Sequence, residues 1–432
     1  MTATQTEPEA SDRASDPITA LRRQARDIFA AAVSRADPAR ALARQLEQTP
    51  LPLKPGGRIL ALAVGKAAVP MMREALGRVP DVAEALVVTN TENHCALPGA
   101  RVLAGSHPVP DAASAEAGRA VIDVLKRAGE GDNVLAMISG GGSALMAAPA
   151  GDIPLADYAT FTRGLLASGL GIDQVNLLRQ QIDRIKGGGL LRCAAPARVH
   201  GFVLSDVVGD DLRAIASGPT VAPLGQACDA VALLHETGIW DRTPASIRHH
   251  LMSATPPAGL PEATNHLVGS NRHSLDAMLQ ALPEGLPGRI VSDHLVGDVQ
   301  DAAVEVLREM RTIRGPVALI FGGETTVQIK GTGLGGRNQE LALRVALSCA
   351  REAPGRDWVF LSGGTDGRDG PTEAAGGLVD PGTLERIAAA GGDVQALLDN
   401  NDSNAALALA GDLLTTGGTG TNVADVQILI LA

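Results

Sequence analysis

The chain has 432 residues, 45% of them hydrophobic, so it exceeds the roughly 250–300 residues at which single cores stop growing and is expected to form two domains. A net charge of −11, from 37 basic and 48 acidic residues, argues against a nucleic-acid partner. The four cysteines, Cys95, Cys193, Cys228 and Cys349, form no C-x-x-C pair, which suits a reducing cytoplasm and offers neither a zinc site nor a disulfide framework. Residues 1–16 are polar and are expected to form a disordered tail, with no apolar stretch after them to make a signal peptide. "ITALRRQARDIFAAAVSRADP" is amphipathic and reads as a first helix. No apolar run approaches the ~20 residues of a membrane span, so no membrane partner is expected.

Short apolar runs then alternate with helical patterns, as in an α/β protein with a mostly parallel sheet. The runs of the first half are "RILALAV" (58–64), "EALVVTN" (84–90), "RVLAG" (101–105), "NVLAMIS" (133–139) and "RVHGFVLSD" (198–206). Helices are expected at 67–79 and 111–129, the second capped by Asp111. A break is placed at 242–265, where "HHLMSATPPAGLPEATN" lacks a strand period, which divides the chain into domains of 17–245 and 246–432. The second half restarts with "HLVGSNRHSLDAMLQAL" (266–282) and "GRIVSDHL" (288–295), then "PVALIFGGE" (316–324) and "TTVQIKG" (325–331). It ends with "DWVFLSGGTDG" (357–367) and "DVQILIL" (425–431).

Five of these runs end in glycine and a polar cluster: "AVGK", "ISGGGS", "LSDVVGDD", "IFGGE" and "LSGGTDGRDG". Ligands of open α/β sheets bind beyond the carboxyl ends of the strands, and glycine there lets backbone N–H groups approach an anion. The tips are therefore expected to converge on one interdomain cleft. In "ISGGGSALM", Ser139, Gly140, Gly141, Gly142 and Ser143 resemble a phosphate cradle opening a helix, although no Lys-Ser/Thr follows as in a Walker A loop. Ser143 as an acyl nucleophile is the lesser reading, since no G-x-S-x-G elbow is present.

Gly331, Gly333 and Gly336 have dinucleotide-fingerprint spacing, but the preceding "TTVQIK" alternates like a half-exposed antiparallel strand. With Arg337 opening the next helix, the loop reads better as a grip for phosphate or carboxylate. Lys66 follows the first core strand, and Lys186 adjoins glycines in "RIKGGGLL", with Arg179 upstream. The acids on the tips are Asp206, Asp210, Asp211, Glu324, Asp366 and Asp369. Such acids can hold Mg²⁺ beside substrate phosphates or take a proton from a hydroxyl. His94 and His107 form no metal pair.

Taken in order, "VGKAAVPM", "SHPVPD", "ISGGGSALM", "RIKGGGL", "LSDVVGDD", "IASGPTV", "GGETTVQIKGTGLGGRNQELAL", "GGTDGRDGPTEAAGGLVD", "NNDSNAAL" and "TGGTGTNVADVQILI" resemble the glycerate 2-kinase family with a C-terminal MOFRL domain. The resemblance implies two α/β domains, a Rossmann-like N-terminal domain and a MOFRL domain with a mixed sheet, and an active site between them. It implies phosphorylation of D-glycerate by ATP with Mg²⁺, to 2-phosphoglycerate, in the cytoplasm. A homodimer is compatible with it.

The family's favoured catalytic cations fall on Lys66 and Arg337. Asp206 and Asp366 complete the expected catalytic set, and Ser139–Ser143, Lys186 and Glu324 are expected to bind the nucleotide. Asp206 and Asp210 are the expected metal ligands. Val208 replaces a usual proline, and Gln180 and Gln181 replace a frequent basic pair. The rivals are an NAD(P)H-dependent hydroxypyruvate reductase, with its cofactor at Gly331–Gly336, and a non-catalytic sugar-acid sensor.

Overall fold

The computed structural model describes residues 16–51, 53–255, 259–352 and 355–432, so all of the expected tail except Asp16 lies outside the described residues. The five apolar runs of the first half and the first of the second form six parallel strands: Ile59–Val64 (β1), Val82–Asn90 (β2), Arg101–Gly105 (β3), Asn133–Ile138 (β4), Arg198–Leu204 (β5) and Ala263–Gly269 (β6). Their order is β3-β2-β1-β4-β5-β6, that of the doubly wound Rossmann sheet.

Both faces of this sheet are covered, which is why its central strands are apolar without interruption. Ile59, Ala61 and Ala63 pack with the helix Ala68–Arg78, while Leu60, Leu62 and Val64 pack with the helix Ala112–Lys126. Each fully buried aliphatic side chain of this kind is worth about 1.5–3 kcal/mol over exposure. Asp111 caps the second of these helices, its carboxylate accepting from the Ser114 N–H at 3.0 Å.

The second sheet is mixed. Gly288–Asp298 (β7) runs parallel to Val317–Thr326 (β8), and Trp358–Gly364 (β9), Gly376–Val379 (β10), Leu413–Leu414 (β11) and Asp425–Leu431 (β12) complete the order β11-β10-β9-β12-β8-β7 through antiparallel pairings. The helices Val299–Thr312 and Arg337–Glu352 cover one face, and Pro17–Arg35 and Asn271–Gln280 cover the other.

Three expectations need correction. The first helix, Pro17–Arg35, buries Ala25, Ile28, Phe29 and Ala32 on the second sheet, at a spacing that forms one helical face. The Pro- and Gly-rich segment near 255 leads into β6, which pairs with β5, so the division between sheets falls after Gly269 and not at 245. The stretch 242–265 holds the helix Ala245–Ser253 and the start of β6, both in the first unit. Finally, "TTVQIKG" is not a separate strand: β8 continues through Gly322 and Gly323 to Thr326 and ends there.

Candidate active site

In a 3-2-1-4-5-6 sheet the chain reverses its winding between β1 and β4, and a crevice opens beyond their carboxyl ends. Lys66 follows β1, and Ser139–Ser143 follows β4. Asp206 follows β5 next to them. Lys66 donates its backbone N–H to the carbonyl of Gly140 at 2.9 Å, which ties the two tips together. Ser139 is buried, and its hydroxyl accepts from the Ala67 N–H at 3.1 Å and donates to the Val64 carbonyl at 3.3 Å. It fastens the turn that presents Lys66 and is not free for a ligand.

The backbone N–H groups of Gly140, Gly141, Gly142 and Ser143 find no protein acceptor among the described residues. Gly141 has φ +82°, a conformation that a side chain would strain. The helix that follows, Gly142–Leu145, is only four residues long, so the free donors belong to the bend itself. The Ser143 hydroxyl lies 2.8 Å from that of Ser217, which in turn donates to Asn176 Oδ1 at 2.7 Å. Ala216, Ser217 and Gly218 all have positive φ (50°, 60° and 66°), so this bend leans on strained backbone, a frequent companion of ligand sites.

Lys66, Ser139, Gly140 and Asp206 line a cleft of about 530 Å³ whose other wall includes Asp366, Arg368, Thr421 and Asn422 from the second sheet's loops. The Lys66 ammonium has no partner among the described residues. Burial pushes the Asp206 carboxyl above the usual range, with Lys66 opposing it. Glu324 is also raised, first by burial and then by Asp425, Asp206 and Asp366, against the pull of Arg337.

Arg337 opens its helix as expected. Its Nε and Nη2 donate to the two oxygens of Asp425 at 2.5 and 3.0 Å, and Nη2 lies 3.2 Å from Glu324. Burial works against this cation, but Asp425, Glu324 and Asp369 more than offset that and raise its pKa. Asp425 heads β12 between Gly323 of β8 and Gly364 of β9, so the fully buried carboxylate holds the guanidinium at the sheet end that carries Asp366.

The glycine loop at 331–336 departs from expectation. Its backbone donors are consumed as far as Leu334: Lys330 and Gly331 donate to Asn401 Oδ1, Thr332 to Asn400 Oδ1, Gly333 to the Asn400 carbonyl and Leu334 to Asp402. At the helix start Asn338 and Gln339 donate to the Asp369 carboxylate at 3.2 and 2.9 Å. Glycine is required here for close packing; a Cβ at Gly331 would lie 2.5 Å from the Asn400 carbonyl carbon. The loop is a structural seam and leaves no cradle for a dinucleotide pyrophosphate.

Two further residues move out of the site. Lys186 is fully buried, its ammonium 2.6 Å from Asp183 and 3.0 Å from the Tyr158 hydroxyl, so it is not presented to a nucleotide. Burial lowers its pKa and Asp183 opposes the shift. Asp210 does not converge with Asp206: its Oδ1 is buried without a partner, and its charge acts on His273. Among the described residues no three His, Cys, Asp or Glu side chains form a metal-holding group, and no helix is long and apolar enough to cross a membrane.

A family profile described as a domain of unknown function (DUF4147) matches residues 24–252, and that of the MOFRL family matches 317–425. A glycerate 2-kinase of Pyrococcus horikoshii is 38% identical over 87% of this chain and 88% of its own. A crystal structure of glycerate kinase from Thermotoga maritima superimposes with a TM-score of 0.89 at 35% identity, covering 96% of this chain and all of that one. The chain belongs to the glycerate 2-kinase family. A relative from Agrobacterium vitis, 37% identical over 94% of this chain and 93% of its own, is provisionally named a hydroxypyruvate reductase. The first profile of this glycerate 2-kinase family member spans Lys66, the glycine bend and Asp206; the second spans Glu324, Arg337, Asp366 and Asp425.

Sequence reasoning missed Asp425 and Asn400–Asp402, and it counted Asp369 among the ligand-facing acids although its carboxylate caps the helix start. An acid directly ahead of the mostly apolar "VQILIL" was the available signal for Asp425. Nothing local in "NNDSN" indicates that it satisfies a loop 70 residues earlier.

Proposed function

We propose that the protein transfers the γ-phosphoryl group of ATP to the 2-hydroxyl of D-glycerate. The observation that carries this reading is one cleft in which Lys66, Asp206 and Gly140, the first of four unsatisfied backbone donors, face Asp366. Phosphoryl transfer is largely a matter of positioning and charge neutralisation, and this inventory suits it. The names of the relatives support the substrate pair.

In this reading the N–H groups of Gly140–Ser143 hold nucleotide phosphate oxygens, and Lys66 neutralises the transferring group. Arg337 keeps one face, Nη1, free of protein partners and offers it to substrate charge, while Asp425 fixes its plane. Asp206 sits with its pKa raised by burial, which suits a group that takes the proton of the attacking hydroxyl. The hydroxyl oxygen bonds to the γ-phosphorus as the bond to the β,γ-bridging oxygen breaks, and ADP leaves.

Magnesium needs only one or two carboxylates in addition to phosphates, and Asp366 would supply one, with Asp206 left to take the proton. Bound there, it would neutralise phosphate charge. Asp210 is dropped from this role. A cytoplasmic location and a homodimer remain part of the proposal.

The test is ATP consumption with D-glycerate followed by phosphorus NMR of the product. Formation of 2-phosphoglycerate is expected, and 3-phosphoglycerate would overturn the choice of hydroxyl. NADH oxidation with hydroxypyruvate, without ATP turnover, would restore the reductase reading. ATP left unconsumed alongside intact glycerate binding would favour the sensor.

A further inference from the structure

The helix Ile172–Gln181 is locked against the strained segment that supports the glycine bend. Asn176 accepts from Ser217 Oγ at 2.7 Å, and the Gln180 amide donates to the carbonyls of Arg213 and Ser217 at 3.1 and 3.2 Å while accepting from the Leu224 N–H at 2.8 Å. Gln180 uses donor and acceptor together, which a basic residue at this position could not do. Arg179 lies one turn from Asn176, on the same side of the helix.

Arg337, the partly buried arginine of the second sheet, has the Asp425 carboxylate. Arg179 has none among the described residues, and its buried Nε makes no hydrogen bond. Its neighbours are instead basic or neutral. Lys66 and His107 flank Gly141, where a Cβ would lie 3.4 Å from Lys66 Cγ and 3.5 Å from His107 Cδ2. Burial, then Lys66, then Arg179, pushes the His107 imidazole down, and burial lowers Arg179 with only Tyr158 opposing. A chain of net charge −11 thus leaves an ammonium and an imidazole at a bend with four unused N–H groups, and a guanidinium close enough to act on that imidazole. A half-desolvated charge without a counter-ion is costly to keep, and a bound anion removes the cost.

We propose that Arg179, aided by His107, is a substrate-binding residue whose guanidinium receives an oxyanion at the glycine bend. The oxyanion is the carboxylate of the hydroxy acid or a phosphate of the nucleotide, sources that share this chemistry. The assignment of those two ligands rests on the kinase reading above; the existence of the anion subsite does not.

The experiment measures calorimetric affinities of the full chain for D-glycerate, ATP and inorganic phosphate in wild type, Arg179→Lys and Arg179→Gln, with melting temperatures alongside. Arg179→Gln should bind one substrate roughly 10- to 100-fold more weakly and leave the other within about twofold, since charged bidentate hydrogen bonds are lost. Arg179→Lys should fall between, keeping the charge without the fork. Loss confined to glycerate assigns the carboxylate, and loss confined to ATP assigns the phosphate.

Without ligand, Arg179→Gln should melt at or above the wild-type temperature, which a structural arginine would not allow. Unchanged affinities for both substrates overturn the proposal, as does failure of both variants to fold. If the wild type does not phosphorylate glycerate, the kinase reading fails. Loss of phosphate-induced stabilisation in Arg179→Gln would then still uphold the subsite.

Discussion

Gly140 offers a perturbation that separates catalysis from folding. A Cβ built there would lie 2.5 Å from Cγ of Asp206, against the 3.5–4.0 Å or so at which carbon atoms pack, so the carboxylate must retreat by about 1 Å or more. Gly140 does not have positive φ, so alanine is tolerated by the backbone. The obstacle is the end of a side chain, which can rotate away toward the cleft. Gly140→Ala should therefore fold nearly as well as wild type. A misplacement of about 1 Å in a reacting group costs on the order of 10²-fold, or about 2.7 kcal/mol of transition-state stabilisation. The assay is kcat/KM for D-glycerate at saturating ATP, with the denaturation midpoint measured in parallel. Because the alanine acts through Asp206, its effect should nearly vanish when added to Asp206→Asn, the non-additivity expected of groups in contact. Gly140→Ala with wild-type turnover, or full additivity with Asp206→Asn, would refute the placement of Asp206 in the reaction.

Other substitutions test the residues that the structure reassigned. Lys186→Met leaves Asp183 buried without its cation and should cost about 3–5 kcal/mol in urea denaturation, while the KM for ATP of the folded enzyme stays within twofold. Arg337→Ala should lower kcat and also destabilise the fold by a similar amount, since Asp425 is fully buried and loses both hydrogen bonds. Gly331→Ala forces the seam against Asn400 and should cost about 1–3 kcal/mol by thermal unfolding. His107 is held below its ordinary pKa, so the unfolded chain binds its proton more readily. Its contribution to stability is complete above the unfolded value of about 6.5 and declines as pH falls toward the folded value; His107→Asn should flatten that part of the stability–pH profile.

The parts of the fold that were legible are those that one periodicity determines. β1 is apolar throughout, β4 and β12 are apolar apart from Asn133, Asp425 and Gln427, and the helix after Asp111 carries its own cap. Legibility failed where a segment's partner lies far away in sequence. The amphipathic face of Pro17–Arg35 announces a helix but not that its cover is the sheet some 300 residues later. β6 looked like the start of a second unit because composition marks loops, whereas hydrogen-bond pairing decides sheet membership. The same limit explains Lys186: a lysine beside glycines reads as an anion contact, and only Asp183 and Tyr158 folding over it reveal an internal ion pair.

The two glycine-rich segments carry the strongest lesson about the site, because their sequences are alike and their donors have opposite fates. From Gly331 to Leu334 the N–H groups are taken up by Asn400–Asp402, and those of Asn338 and Gln339 at the helix start by Asp369, so an incoming phosphate would have to displace bonds already made. At 140–143 no side chain reaches the donors, although Asp206 comes close enough to forbid a methyl group at Gly140. An acid at that distance that accepts nothing from the bend cannot serve as its internal counter-ion, which is what Asp369 does for the other loop. Backbone N–H groups rarely go unpaired in a folded protein, and four in succession at a half-buried bend beside Lys66 leave ligand or solvent as the remaining acceptors. Glycine content therefore does not separate an anion site from a packing seam. The separation lies in whether the chain also supplies the carboxylate or amide oxygen that fills it.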